Sequence, residues 1–287
     1  MDCRGPIDHH GVMVDHPMSA TADHTEQVCA SFGSGDARLN EVMRAAVRHL
    51  HAFAEEVQLT REEWMAGIRF LTSVGHASDE VRQEFILLSD TLGLSMLIEM
   101  LQAPPAPGVT ESTVLGPFYV DDGPDYANGD SIVAAPETGG EALTVRGTVS
   151  DTAGRPVAGA TVEVWQVQPN GHYDVEDDSA KRNLRATLRT ADDGSFSFTT
   201  VRPIDYTVPA DGPVGAMLAA SGRHPWRPAH IHFALTAPGY QPLVTHLFDS
   251  TSPYLDSDTV FAVRPSLVVD MAGPECKVEF VLQTSGA

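Results

Sequence analysis

Apolar residues return every three or four positions between residues 36 and 101, and from residue 143 they alternate or gather in short runs. The chain therefore reads as helical first and β afterwards. Leu39, Val42, Met43, Ala46, Val47, Leu50, Phe53 and Val57 mark one face of a first helix. Thr60 with Glu63 forms a capping box for a second, expected to end near Gly75. A third is expected to begin after Ser78 and run through FILLSDTLGLSMLIEML. It is apolar nearly all round, which predicts burial on most sides. APPAPG at 103–108 stops helix formation. TESTVLGPFYVDDGPDYANGD, rich in Gly, Pro and Asp, predicts an ordered but irregular segment. LTVRGTVS, ATVEVWQV, LRATLRT, GSFSFTT, AHIHFAL, PLVTHLF and KVEFVLQ then read as strands between turns such as DTAGRPVAG and ADDG. Seven such strands predict a β-sandwich. The fold class is mainly β with an α-helical N-terminal domain. The expected division is a flexible tail over 1–35, a helical domain over 36–105 and a β-sandwich over 106–287.

Composition narrows the function. Against 18 Lys and Arg stand 39 Asp and Glu, a formal charge of −21, which disfavours nucleic-acid backbones and anionic membrane surfaces. No apolar run has the roughly 18 residues of a membrane span. The first residues carry acids and histidines where a signal peptide would be apolar. Cys3, Cys29 and Cys276 are far apart and odd in number, so no disulfide framework is indicated. A cytoplasmic protein with free thiols is expected. His9, His10, His16 and His24 read as part of a solvated tail.

The sharpest chemical feature is RPAHIHFAL. His230 and His232, two apart on a strand, leave the same face and can grip one metal. A cupin-type site would want an acid about four residues on, and Thr236 stands there. No HExxH occurs, and the cysteines do not suit structural zinc. Tyr173 follows the strand that ends near Val167, and Tyr206 lies in RPIDYTVP, a Pro-bounded loop. Taken singly, each tyrosine reads as a packed aromatic.

Together the pieces LLSDTLGLSML, TVLGPFY, GTVSDTAGRPVAGATVEVWQVQPNGHYD, RPIDYTVPADGPVG and GRHPWRPAHIHF resemble the intradiol ring-cleaving dioxygenases, the catechol 1,2-dioxygenase family. Order and spacing agree over about two thirds of the chain. The resemblance implies a catalytic β-sandwich with one Fe(III) per subunit, held by Tyr173, Tyr206, His230 and His232. It also implies a homodimer through the N-terminal helices, with a phospholipid in the seam. Phenolate, a hard and charged oxygen ligand, suits Fe(III) better than Fe(II). Tyr206 maps to the tyrosine that leaves the metal and takes a proton. Arg227 maps to the catalytic arginine, whose charge stabilises negative charge on the ring. A surface ion pair is the bland reading of Arg227.

LLSDTLG, GRHPWRPAHIHF and PLVTHLFDSTSPYLDSD resemble the hydroxyquinol-cleaving branch, which implies opening of benzene-1,2,4-triol with O2 to 3-hydroxy-cis,cis-muconate and maleylacetate. The implied pocket is Leu87, Asp90, Val114, Leu115, Gly116, Pro117, Phe118, Val208, Pro209, Arg227 and Val260. Asp90, in an apolar run, would accept a hydrogen bond from the third hydroxyl; alternatively it bonds within the helices, to Ser89 or Thr91. His246 stands where catechol-cleaving relatives carry glutamine, and either orients a ligand or packs in a strand. His172 and His224 read as neighbours of the ligands in sequence only. The alternatives are a catechol or chlorocatechol 1,2-dioxygenase, or a non-catalytic prealbumin-like sandwich.

Overall fold

The structure is a computed structural model that describes residues 20–79, 82–102, 106–121, 123–135, 138–176 and 182–286. It divides into two compact units, Met1–Arg69 and Phe70–Ala287.

The first unit holds helices α1 (Ala20–Ser31) and α2 (Ala37–Glu56) and the start of α3 (Arg61–His76). Asp36 caps α2 by accepting the Leu39 amide at 2.7 Å. The capping box forms as expected, Thr60 N–H donating to Glu63 at 2.9 Å and Glu63 N–H to the Thr60 hydroxyl at 3.2 Å. Two expectations change. Residues 20–31 are helix rather than tail, with Cys29 buried and His24 stacked on His51 at 5.7 Å; Cys3, His9, His10 and His16 lie outside the described residues. The apolar face of α2 is also not buried: Leu39, Leu50 and Phe53 are each more than half exposed.

In the second unit the expected third helix is two, α4 (Glu84–Thr91) and α5 (Leu94–Gln102). Gly93 breaks it at φ +73°, the left-handed conformation that ends helices most cheaply in glycine. Only the site-facing side of α4 is sealed. Leu87, Leu88 and Asp90 are buried, while Phe85, Ile86, Leu94, Leu97, Ile98 and Leu101 are exposed, against the expectation of burial all round. The compact unit therefore begins inside α3, ahead of the proline-rich stop near 105, because α4 packs on the strand-bearing part through Leu87, Val208, Val214 and Val260.

All seven expected strands form: β1 (Ala142–Asp151), β2 (Thr161–Trp165), β3 (Arg185–Arg189), β4 (Ser195–Val201), β7 (His230–Thr236), β8 (Leu243–Asp249) and β10 (Glu275–Leu282). Three pairs of residues extend the pattern, β5 (Tyr206–Thr207), β6 (Trp226–Arg227) and β9 (Val268–Val269), and a short helix, α6 (Pro213–Ala220), follows β5. One sheet runs β10-β1-β4, with β1 and β10 parallel, and the other β3-β2-β7-β8-β9. Val145, Phe196, Phe198 and Phe280 of the first meet Val162, Val164, Ile231 and Phe233 of the second in a shared apolar core. The opposite face of β7 carries His230 and His232, so alternation sends one set of residues to the core and the other to the site.

Candidate active site

Three pieces of chain bring the four expected ligands together. β7 places His230 and His232 on one face, and its register with β8 sets His246 directly across from His232. β5 and β6 set Tyr206 directly across from Arg227. Tyr173 stands where the chain turns into a single 3-10 turn at Asp174–Glu176, its amide donating to the Glu176 carboxylate at 2.8 Å.

The donor atoms converge. Tyr173 Oη lies 3.0 Å from Tyr206 Oη and 2.9 Å from His232 Nε2, and His232 Nε2 lies 3.2 Å from His230 Nε2. Donors about 2 Å from one cation sit about 3.3 Å apart in a tetrahedral arrangement, so this spacing fits a metal. His230 Nδ1–H donates to the Pro228 carbonyl at 2.6 Å, which leaves the Nε2 lone pair facing the convergence point. His232 Nδ1 and His246 Nε2, on rings 4.1 Å apart, have no hydrogen-bond partner, whereas His246 Nδ1 bonds the Thr113 hydroxyl. His230, His232 and His246 also bring ligand atoms within 4.8 Å of one another. The two phenols provide the charged donors that three neutral imidazoles lack.

Electrostatics agree with such a site. Burial pushes all three imidazoles well below the ordinary histidine value, helped by Arg227, which favours the neutral form able to hold a metal. Burial pushes both phenols up, and at Tyr206 the nearby Arg227 charge pulls the other way. A bound metal cation would reverse that balance and favour phenolate. Phe118 stacks on Tyr173 at 4.5 Å and Trp165 on His232 at 4.7 Å, which holds both rings in place. At Gly116, φ is +78° and a Cβ would come within 3.3 Å of the His232 ring, so a side chain there would crowd a ligand.

A cavity of about 400 Å³ opens onto Tyr206. Of the expected pocket residues, Leu87, Pro117, Phe118, Val208 and Pro209 line it. Val114 and Val260 lie buried behind that wall, in one apolar cluster with Leu87 and Val208. Leu115 is 39% exposed and does not line this cavity. Asp90 is buried behind the wall, where desolvation raises its pKa against the opposing pull of Ser95 and Arg227.

Some residues escaped the sequence. His172, read as a bystander, lines the cavity mouth with Glu84, Glu176 and Arg82; His224 instead packs edge-on against Tyr254. Arg185 and Asp174, both buried, form an ion pair at 2.6 Å, and Arg185 also donates to the Phe118 carbonyl, clamping the chain on both sides of the Tyr173 ring. Asp205 accepts from the Ala229 amide at 2.8 Å and from Ser252, tying the Tyr206 strand to the His230 strand. Arg227 pairs not with a surface acid but with buried Asp258, at 3.1 Å. Long sequence separations hide each of these pairings.

Comparison with known proteins agrees. Residues 114–284 match the family model "Dioxygenase", and residues 36–110 match "Catechol dioxygenase N terminus". The chain belongs to the intradiol ring-cleavage dioxygenases, and membership implies a non-haem iron. The chain is 50% identical to a 6-chlorohydroxyquinol 1,2-dioxygenase of Cupriavidus pinatubonensis, over 82% of this chain and 85% of the relative. It is 48% identical to a hydroxyquinol 1,2-dioxygenase of Nocardioides simplex, over 86% and 84%. The crystal structure of a hydroxyquinol 1,2-dioxygenase from Pseudomonas putida superposes with a TM-score of 0.87 at 44% identity, covering 92% of this chain and 99% of that one.

Proposed function

We propose that this dioxygenase opens hydroxyquinol, benzene-1,2,4-triol, between its adjacent hydroxyls with O2, giving 3-hydroxy-cis,cis-muconate and its tautomer maleylacetate. The carrying observation is the meeting of two phenols and two imidazoles beside an apolar cavity, in a chain 46–50% identical to relatives named for hydroxyquinol or its 6-chloro form. Both atoms of O2 enter the product, so a triol becomes a dicarboxylate with no external reductant.

One Fe(III) per subunit, on Tyr173, Tyr206, His230 and His232, would supply a Lewis acid that binds and activates the diol. The protein does the rest. Tyr206 is the base for a substrate hydroxyl proton, because Arg227 Nη1 lies 3.3 Å from its oxygen and favours the phenolate before transfer. Arg227 then faces the negative charge that grows on the ring. Leu87, Phe118 and Val208 form the apolar wall that excludes water, with Val260 packed behind it. Asp90 accepts from the third hydroxyl, which neither catechol nor a chlorocatechol carries. His246 accepts from His232 Nδ1–H and so fixes the tautomer that leaves Nε2 to the metal. The two rings lie 4.1 Å apart and both nitrogens are buried with no other partner, which supports that pairing.

A homodimer through the N-terminal helices, with a phospholipid in its seam, is supported by the exposed apolar face of α2. A cytoplasmic location is supported by two unpaired thiols, Cys29 and Cys276, among the described residues. No helix in the described residues is long and apolar enough to cross a membrane.

The test is metal analysis with a visible spectrum of the purified protein, before and after anaerobic addition of hydroxyquinol. Oxygen uptake on hydroxyquinol and on catechol then follows. A colourless, iron-loaded protein would refute phenolate ligation, and faster turnover of catechol would refute the choice of triol.

A further inference from the structure

The Arg227 guanidinium divides its donors between two jobs. Nε and Nη2 point to the Asp258 carboxylate, at 3.1 Å to Oδ1 and 3.4 Å to Oδ2. Nη1 points the other way, 3.3 Å from Tyr206 Oη and 3.2 Å from His230 Nε2. Both partners are buried, with side-chain exposures of 5% and 2%. A planar guanidinium held along one edge by a carboxylate has no rotation left, so the remaining nitrogen is aimed. Asp258 is itself fixed, since its carboxylate accepts the amides of Val260 at 3.3 Å and Ala262 at 3.0 Å.

We infer that Asp258 is the positioning residue for Arg227 in ring cleavage: it holds the far edge of the guanidinium so that Nη1 faces the substrate-bearing side of the ligand cluster. Without that hold, a buried cation beside Tyr206 turns fully onto the phenolate and ceases to be available to charge developing on the ring. The carboxylate also balances the arginine charge, so that the guanidinium adds direction without repelling the metal. This rests on the proposed ring-cleavage reading and deepens it. Because 31 residues separate the pair in sequence, no local motif reveals it.

Asp258 also shapes the Val260 loop, so the test must separate aim from architecture. The substitution is Asp258→Asn, made in the wild type and in Arg227→Ala. In the wild type, kcat should fall about ten- to a hundredfold, a fraction of what losing a transition-state donor outright costs. KM, iron content and the visible band should stay within about twofold, since Asp258 is not a ligand. In the Arg227→Ala background the same change should cost less than about threefold, because the group it aims is gone. Equal losses in both backgrounds, no loss in the wild type, or loss of iron would each overturn the assignment. If the asparagine variant does not fold, Asp258→Glu applies the same cycle. It keeps the charge but displaces the guanidinium by a methylene, and again must cost kcat only where Arg227 is present. Failure of the underlying reading shows separately, as a wild type that consumes no O2 with hydroxyquinol or catechol.

Discussion

α2 and β7 are both patterned with apolar residues, yet they end up in opposite states. β7 buries every residue except Thr236, its core face against the other sheet and its histidines against Trp165 and the tyrosines. α2 buries none of its residues, although its stripe is as regular as any strand's alternation. A sheet finds its second layer within the same chain, because β1, β4 and β10 supply it. A helix with one apolar face depends on whatever chain comes next to it, and here that is not enough. The sandwich therefore covers its own apolar face, whereas the apolar face of α2 stays exposed among the described residues. The first holds the converging donors; the second is the face the proposed homodimer would cover.

The sharpest break of the complete half is removal of a phenol. Tyr173→Phe should abolish most of the visible colour and lower kcat by about a thousandfold or more, in keeping with the loss of a charged metal ligand. Spectrum, iron content and oxygen uptake on the purified variant check this. Full colour with full iron would remove Tyr173 from the ligand set. Tyr206→Phe should alter the band and lose activity as severely, since the same oxygen is proposed both to hold the metal and to act as base.

Stripping the iron probes the same half through pH. His230, His232 and His246 have pKa values well below the ordinary 6.5 of histidine because burial disfavours the cation. Between that value and their folded values the unfolded chain binds more protons than the native one, so stability falls as pH falls. Each of the three histidines adds to that slope. Urea unfolding of the iron-free protein should lose stability steeply below about pH 6.5 and change little from these groups above it. A flat profile between pH 6.5 and 5 would mean that the imidazoles are not buried neutral. Restoring iron should carry the slope on to lower pH, because the metal competes with the proton for the native imidazoles.

The helical half breaks differently. The protein should sediment at about twice 30.8 kDa. Leu50→Asp with Phe53→Asp places charges on the exposed stripe, and the dimer dissociation constant should rise at least a hundredfold; burying one such side chain is worth roughly 1.5–3 kcal/mol and symmetry doubles the loss. Activity per subunit should stay within about twofold, because every ligand comes from the other unit of the same chain. A wild type that sediments as a monomer would end the dimer proposal.

The same contrast governs what was legible in the sequence. Strands β1, β2, β3, β4, β7, β8 and β10 were legible because alternation records a half-buried sheet directly. His230 and His232 were legible because a spacing of two is a shared face. Three other features left weaker marks. Gly93 broke a helix inside an unbroken apolar run, where period outweighs a single glycine. α6 is eight residues of PVGAMLAA, too short to show a period, although Pro213 at its start is a helix signal. β5 and β6 are two residues each and exist only because Tyr206 and Arg227 pair. The partners that aim or clamp the site, Asp258, Arg185 and Asp205, carry no periodic signal at all. Their positions follow from tertiary contacts between distant residues, and the charged letters D and R look in sequence like the solvated surface they usually form.

The smallest effect is also the one that asks most of the pocket. Asp90 lies at 5% exposure on the buried side of α4, close enough to Arg227 and Asp258 to feel both charges, and its pKa is raised chiefly by desolvation. A carboxylate kept there at a cost needs a donor when substrate binds, and the third hydroxyl of hydroxyquinol is one that catechol lacks. Asp90→Ala should therefore lower kcat/KM on hydroxyquinol about ten- to a hundredfold, the range of one charge-assisted hydrogen bond worth roughly 1.5–3 kcal/mol. On catechol the loss should be under threefold, or turn into a gain, since the variant no longer buries a desolvated carboxylate. Iron content should not change, because Asp90 is not among the converging donors. Steady-state kinetics on both substrates decide the matter. An equal loss on the two would mean that Asp90 serves the Arg227–Asp258 pair or the packing of α4 instead, and that the preference for the triol comes from the shape of the Leu87, Phe118 and Val208 walls.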